Sequence, residues 1–203
     1  MARLRVECPW DAEQTHRSLA KHLIEETAEV VEAIEAGSTD TDIPDDDLRE
    51  ELGDLLLQIY FHAEIASSQH RFDIEDVAKG ICDKLVRRHP WVFDGADNPE
   101  DMMGTWEAAK QAEKQRASAL EGIPETLSTL ARAGKVVART RHVHLDVPMA
   151  AEPITAEQLG TEVLRLVQRA QASGIDPDQA TRDALRALER AILTAEAPSE
   201  EAC

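Results

Sequence analysis

The sequence predicts an all-α protein, and three observations carry that prediction. Ala, Leu, Glu, Arg and Asp dominate its 203 residues, whereas only three Trp, three Phe and one Tyr are present. Helix formers are thus in excess and the aromatic residues that favour strands are scarce. Apolar residues recur at three- and four-residue spacing over long windows. Prolines and capping residues fall between those windows.

Taken in order, residues 15–36 form the first predicted amphipathic helix, with Leu19, Leu23, Val30, Val31 and Ile34 on its apolar stripe and Gly37 as its C′ residue. A polar loop over 37–46 leads to a second helix over 47–68, with Leu48, Leu52, Leu55, Leu56, Ile59, Tyr60 and Ala63 expected inward. Asp73 caps a third helix carrying Ile74, Val77, Ile81 and Leu85, and Pro90 stops it. After a loop over 94–99, Asn98-Pro99 reads as cap and first turn of a helix bearing Trp106, Lys110 and Lys114. Pro124 is expected to start a helix ending near Thr140, followed by a loop over 141–154 holding His142 and His144. Thr155 and Gln158 form a capping box for a helix to about Ser173. Asp176-Pro177 opens the last helix, to about Ala195, and the remaining tail is expected to fray.

Residues 51–73 and 158–176 echo one another. Each has a Leu-Gly turn of helix, then a bend into an aspartate cap and another helix. The later copy is shorter by about one helical turn, which keeps its apolar face in register. It has Gln158 where Glu51 stands and Thr161 where Asp54 stands. The packing pattern survives there without the carboxylates.

Charge narrows the function. The chain holds 40 Asp and Glu against 22 Lys and Arg, a formal charge of −18. That excludes a general nucleic-acid binder and docking on an anionic membrane, both of which need a basic footprint. No apolar run of about 18 residues is present to span a membrane, and the first residues lack the apolar core of a signal peptide. Cys8, Cys82 and Cys203 are scattered, as expected of a reduced, cytoplasmic chain.

The acidic residues are not spread evenly. Glu25, Glu26, Glu29 and Glu32 crowd one flank of the first helix, and Glu51 and Asp54 lie one turn apart on the second. Like charges at these spacings destabilise a helix, and between Lys21 and Arg49 there is no basic residue to relieve them. Two helices joined by a short loop are antiparallel neighbours, so the acidic turns can face each other. Converging carboxylates suit a hard cation, Mg²⁺ or Mn²⁺; two solvated acidic faces are the plain alternative. A di-iron bundle needs two Glu-x-x-His motifs, and only Glu13 with His16 supplies one. His142 and His144 read as surface residues. Lys84, Arg87 and Arg88 close the third helix, either complementing its dipole or clamping phosphate. Trp106, with Lys110 and Lys114 one and two turns on, serves either as core or as a stacking platform for a base.

These motifs together resemble the MazG-type nucleoside triphosphate pyrophosphohydrolases of the all-α NTP pyrophosphatase superfamily. The resemblance is carried by Cys8-Pro9-Trp10-Asp11 with Gln14-Thr15, by Glu25-Glu26-x-x-Glu29, and by Leu48-Arg49-x-Glu51-Leu52-Gly53-Asp54. It continues through Arg71-Phe72-Asp73, Lys84-Leu85-x-Arg87-Arg88-His89-Pro90-x-Val92-Phe93 and Trp106-x-x-x-Lys110, covering residues 8–115. Trp91 departs from the family pattern, which often has His there. The resemblance implies an antiparallel helical bundle and Mg²⁺-dependent hydrolysis of NTP or dNTP to nucleoside monophosphate and pyrophosphate. It implies Glu26, Glu29, Glu51 and Asp54 as metal ligands, with Glu25 beside them to hold the site or the attacking water. Lys84, Arg87 and Arg88 would contact phosphate, and Trp106 and Lys110 the nucleotide. A homodimer is implied too. The expected division is a catalytic segment 1–120, a connecting helix and loop 121–154, and a structural second copy 155–203 with no site of its own. The competing functional class is a catalytically silent helical interaction module, against which the complete acidic set in the first copy argues.

Overall fold

A computed structural model describes residues 1–39, 41–114, 116–143 and 145–197; His144, Cys203 and the tail beyond 197 lie outside the described residues. Among these residues ten helices and no strand occur, in the order α1 (Ala2–Glu7), α2 (Pro9–Glu13), α3 (His16–Glu35), α4 (Asp45–Ser68), α5 (Ile74–Arg88), α6 (Pro90–Phe93), α7 (Met102–Lys114), α8 (Thr129–His142), α9 (Ala156–Ala172) and α10 (Pro177–Glu196). The all-α expectation holds. No described helix is long and apolar enough to cross a membrane. The chain forms two compact units, Met1–Ala96 and Asp97–Cys203. This division follows packing, whereas the sequence division at 120 and 154 follows motif and repeat.

In the first unit α3 and α4 form an antiparallel hairpin. His16, at the start of α3, meets His62 near the end of α4, and Glu26 meets Gln58. The start of α3 is fixed by a reciprocal box between Thr15 and Ser18. The hairpin loop is held by Asp42, whose carboxylate accepts from Ser38 Oγ at 2.6 Å and from the Thr39 amide at 2.6 Å. Those donors, the Ser38 hydroxyl first, hold the Asp42 carboxyl well below the usual carboxylate range. Gly37 does not use a left-handed conformation, contrary to its reading as an ordinary C′ glycine. Its role is clearance: a Cβ there would stand 2.9 Å from the Ile43 amide nitrogen.

The buried face of α4 differs from the expected one. Gln58, Phe61, Ala63, Ile65 and Ala66 are buried, while Leu52, Leu56, Ile59 and Tyr60 are exposed. The reason is that α4 is apolar around much of its circumference, so its neighbours, not its periodicity, decide which side is covered. The α5 stripe is likewise real but uncovered, with Val77, Ile81 and Leu85 exposed. Leu19, Phe61 and Ile65 form the small core between α3 and α4.

The second unit has its own core of Ala119, Ile123, Val136, Leu185 and Ile192, joining the 119–123 turn to α8 and α10. Its edges are tied by Arg132 to Glu189 at 2.7 Å and by the Ala119 amide to Glu196 at 2.7 Å. Helix α9 packs on α10 but buries none of its own residues. Leu159 and Leu166 on its apolar face are exposed.

Two helix starts are corrected. Helix α7 begins at Met102, because Asp101 rather than Asn98 caps it by accepting the Gly104 amide at 2.8 Å. Helix α8 begins at Thr129 with Ser128 as cap, not at Pro124. The carbonyls of Ile123 and Pro124 are taken by the Arg132 guanidinium at 3.1 and 3.2 Å, which holds that segment in a turn. The capping box at Thr155 and the caps at Asp73 and Asp176 are as expected, and at Asp73 a reciprocal bond to Asp76 completes a box.

The two echoing hairpins bend alike. After α4, the His70 amide donates to Ser67 O and the Arg71 amide to Ala66 O; after α9, the Gly174 amide donates to Gln171 O and the Ile175 amide to Ala170 O. Both are Schellman ends. The left-handed position is filled by His70 at φ 55° in the first and by Gly174 at φ 68° in the second.

Candidate metal centre

The site grows from the α3–α4 hairpin. Leu19, Glu26 and Ala33 recur at seven-residue intervals on α3, so Glu26 lies on the stripe that faces α4, between two buried apolar residues. On α4, Glu51, Asp54 and Gln58 fall at i, i+3 and i+7 and share a face. The antiparallel register brings these faces together. Glu26, Glu51 and Asp54 each offer a carboxylate oxygen, and the three oxygens lie within 4.8 Å of one another. Glu26 and Glu51 are half-buried and Asp54 is exposed.

The electrostatics match that crowding. Partial burial, then the charges of Glu29 and Asp54, push the Glu26 carboxyl above its ordinary value, and a hydrogen bond with Glu29 adds to the shift. Glu51 is raised in the same way, by desolvation first and then by Glu29 and Asp54. Glu29 therefore belongs to the same cluster. Glu25 does not: it lies one residue round the helix, and its Oε2 pairs with His22 Nδ1 at 2.9 Å.

A group that sequence reasoning missed is Gln58. It is buried, its Nε2 donates to Glu26 Oε1 at 3.5 Å, and its own Oε1 has no partner among the described atoms. The signal was present: a lone amide in an apolar run, one turn beyond Asp54. Also missed is a chain of imidazoles further along the hairpin. His16 and His62 stack with centroids 5.0 Å apart and Nδ1 atoms 2.7 Å apart, and Arg71 Nη2 lies 2.5 Å from His16 Nε2. The arginine can only donate, so His16 accepts at Nε2 and donates from Nδ1 to His62. This leaves the buried His62 Nε2 carrying its proton without a partner.

The other sequence-derived residues sit as follows. Arg87 and Arg88 occupy the last turn of α5 with Lys84 just before it, and Arg88 is only 5 % exposed. Trp106 and Lys110 lie on α7 in the second unit, with the Lys110 ammonium 5.8 Å from the centre of the Trp106 ring, a cation–π contact.

The carboxylate cluster passes a test of fit for a divalent cation. Its donors are hard oxygens from two facing helices, and their mutual repulsion is what a bound cation relieves. Fold and site thus define an all-α protein whose central hairpin builds a carboxylate centre.

Comparison with known proteins gives that class a family. The model of the MazG nucleotide pyrophosphohydrolase domain matches residues 14–93, a stretch inside the first unit. The nucleoside triphosphate pyrophosphohydrolase of Mycobacterium tuberculosis is 39% identical over 96% of this chain and 58% of its own length. The Escherichia coli K12 protein of the same name is 44% identical over 68% of this chain and 52% of its own. The nucleoside triphosphate pyrophosphohydrolase/pyrophosphatase MazG of Thermotoga maritima is 34% identical over 88% of this chain and 75% of its own. The chain belongs to the MazG family. It spans little more than half the length of the first two of these relatives.

Proposed function

We propose that this protein hydrolyses nucleoside triphosphates, ribo- or deoxyribo-, to nucleoside monophosphate and pyrophosphate in a Mg²⁺-dependent reaction, Mn²⁺ being the substitute. The observation that carries the reading is the convergence of Glu26, Glu51 and Asp54 across the α3–α4 hairpin within the matched domain. Glu26, Glu29, Glu51 and Asp54 would hold the cation. When bound, that cation neutralises the triphosphate and lowers the pKa of a coordinated water. The remaining roles fall to the protein's own residues. Glu25, which lies outside the cluster and pairs with His22, would help hold the site or the attacking water from beside it. Gln58 orients Glu26 through its amide. Lys84, Arg87 and Arg88 bind phosphate oxygens, Arg88 from a buried position. Trp106 and Lys110 contact the nucleotide.

Two further features belong to the same proposal. The protein is a homodimer, which would cover the exposed apolar residues Leu52, Leu56, Ile59 and Tyr60 of α4 and Val77, Ile81 and Leu85 of α5. It works in the cytoplasm, where nucleotide pools lie and where its scattered cysteines stay reduced.

The test is a panel of NTPs and dNTPs incubated with the protein and Mg²⁺, with monophosphate, orthophosphate and pyrophosphate separated and quantified. Equimolar monophosphate and pyrophosphate, abolished by chelator and by Asp54→Asn, is the expected result. Release of orthophosphate with nucleoside diphosphate, or turnover that survives chelation, overturns the reading. Light scattering at micromolar concentration tests the dimer, and a monodisperse monomer refutes it.

A further inference from the structure

Helix α8 is anomalous in so acidic a protein. Its residues Thr129–His142 include Arg132, Lys135, Arg139, Arg141 and His142, and none of the chain's 40 acids. Arg132 is accounted for by its ion pair with Glu189 of α10. The other four line an open cavity of about 880 Å³, to which α7 contributes Lys110. The single carboxylate in the described lining is Asp101, whose Oδ1 is already engaged by the Gly104 amide at the start of α7.

A favourable helix dipole explains only part of this. It accounts for Arg139, Arg141 and His142 in the last turn of α8. It does not account for Lys135, which stands in mid-helix, or for Lys110, which comes from another helix. Gly104, Ala108 and Ala138 line the same cavity, and their small side chains leave its volume unfilled. Two of the cations are held in place: Arg139 Nη1 donates to the carbonyls of Ala119 at 3.3 Å and Glu121 at 2.6 Å, and Arg141 donates to the carbonyl of Ala150. Lys135, Arg139 and His142 stand at i, i+4 and i+7 on one face, a line about 10 Å long. That length matches an extended chain of two or three phosphoryl groups and exceeds a single phosphate.

We propose that the α7–α8 cavity of the second unit is a binding site for a linear polyphosphate anion, with Lys135, Arg139, Arg141 and His142 as ligands beside Lys110. The shared chemistry is a di- or triphosphate chain, supplied either as inorganic polyphosphate or as the tail of a nucleotide. The site uses Lys110, which the hydrolytic reading also uses, and to that extent rests on it. It requires neither a metal nor the carboxylate cluster.

The test titrates the full chain by calorimetry in EDTA with tripolyphosphate, ATP and orthophosphate. Tripolyphosphate is expected to bind at 50 mM KCl and to weaken at 300 mM, as a screened charge interaction does. Lys135 is exposed and makes no hydrogen bond or ion pair among the described residues, so Lys135→Ala leaves the fold intact, which circular dichroism checks. That variant is expected to weaken tripolyphosphate about tenfold, as loss of one charge-assisted contact does. Lys135→Arg should restore binding, and Asp54→Asn should leave it unchanged. ATP bound more tightly than tripolyphosphate identifies a nucleotide tail as the source; the reverse identifies inorganic polyphosphate. Absence of binding, indifference to Lys135→Ala, dependence on Asp54, or orthophosphate bound as tightly as tripolyphosphate overturns the proposal. Metal-dependent hydrolysis without chelator-resistant binding removes the cavity site alone. Binding without hydrolysis removes the hydrolytic reading alone.

Discussion

Replacing Glu26 by Gln separates what the carboxylate cluster does for stability from what it does for chemistry. Glu26 and Asp54 offer oxygens within 4.8 Å of each other. Two unit charges at that distance repel by about 1 kcal/mol in a water-like medium and about 3.5 kcal/mol at an effective dielectric of 20. Glu26 is only partly buried, so solvent screening places its share near the lower figure. The amide removes the charge and keeps the shape. The metal-free variant should therefore be more stable than the parent by about 1 kcal/mol, or roughly 4–8 °C in a domain of this unit's size. Turnover should fall by at least about 100-fold, and Mg²⁺ should no longer raise the melting temperature as it does for a protein that binds it only when folded.

The pH dependence has a definite sign. The Glu26 carboxyl is raised above its ordinary value of 4.5. A raised carboxyl contributes stability that is complete below 4.5 and lost as pH rises through the folded-state value. The apo parent should thus gain stability relative to Glu26→Gln as pH is lowered from 7 toward 4.5. Paired melts of the two proteins in EDTA across that range make the measurement, since groups outside the carboxylate cluster cancel. A variant that melts below the parent at pH 7, shows no pH-dependent difference, or turns over normally would refute the reasoning.

Further outcomes follow from the same structure. His70→Gly should stabilise the protein by about 0.5–1 kcal/mol, because His70 holds a φ of 55° that glycine adopts freely; chemical denaturation measures it. His62 is pushed below the ordinary imidazole value of 6.5 by burial first and by His16 second. The unfolded chain therefore takes up a proton that the folded one refuses, and stability drains away as pH falls below 6.5. Urea midpoints at pH 7.5 and 5.5 should converge in His62→Leu relative to the parent. Ile192→Ala, at a fully buried position, should cost about 2–5 kcal/mol, and truncation after residue 154 should aggregate or melt far lower because it strips Leu185 and Ile192 from the core around Val136. A stable 1–154 fragment would refute that dependence.

Much of this was legible in the sequence because its signals are local. The caps at Asp73, Thr155 and Asp176 are read from a few adjacent residues, and the structure forms each of them. The meeting of Glu26 with Glu51 and Asp54 was also legible, since a short loop forces antiparallel neighbours and the acids lie near its two ends. What escaped is what depends on distant partners. The His16–His62 pair joins residues 46 apart in sequence, and nothing near either one announces the other. The covered face of α4 was misread because Leu55 and Leu56 are equally apolar, and only a neighbouring helix distinguishes them. Ser128 displaced Pro124 as a helix start because Arg132, from the next turn, captured the carbonyls before it.

The two hairpins show that this bend can be kept while the chemistry is lost. Both α4 and α9 end in the same Schellman geometry, yet only α4 carries Glu51 and Asp54. Restoring the acids in α9, as Gln158→Glu with Thr161→Asp, should nevertheless create no second metal site. A divalent cation needs ligands from a facing helix, and two carboxylates one turn apart on an exposed surface hold Mg²⁺ weakly. The helix that packs on α9 is α10, and its four acids are already engaged. Asp178 pairs with Arg182 and Thr129, Asp183 with Arg186, Glu189 with Arg132, and Glu196 with the Ala119 amide. Recruiting Asp178, Glu189 or Glu196 to a cation would break a contact to α8 or to the 119–123 turn, and recruiting Asp183 would break its pair within α10. Calorimetric titration of the double variant with Mn²⁺ should therefore give the parent's stoichiometry, and one additional site per chain would show that the carboxylate pair alone is sufficient.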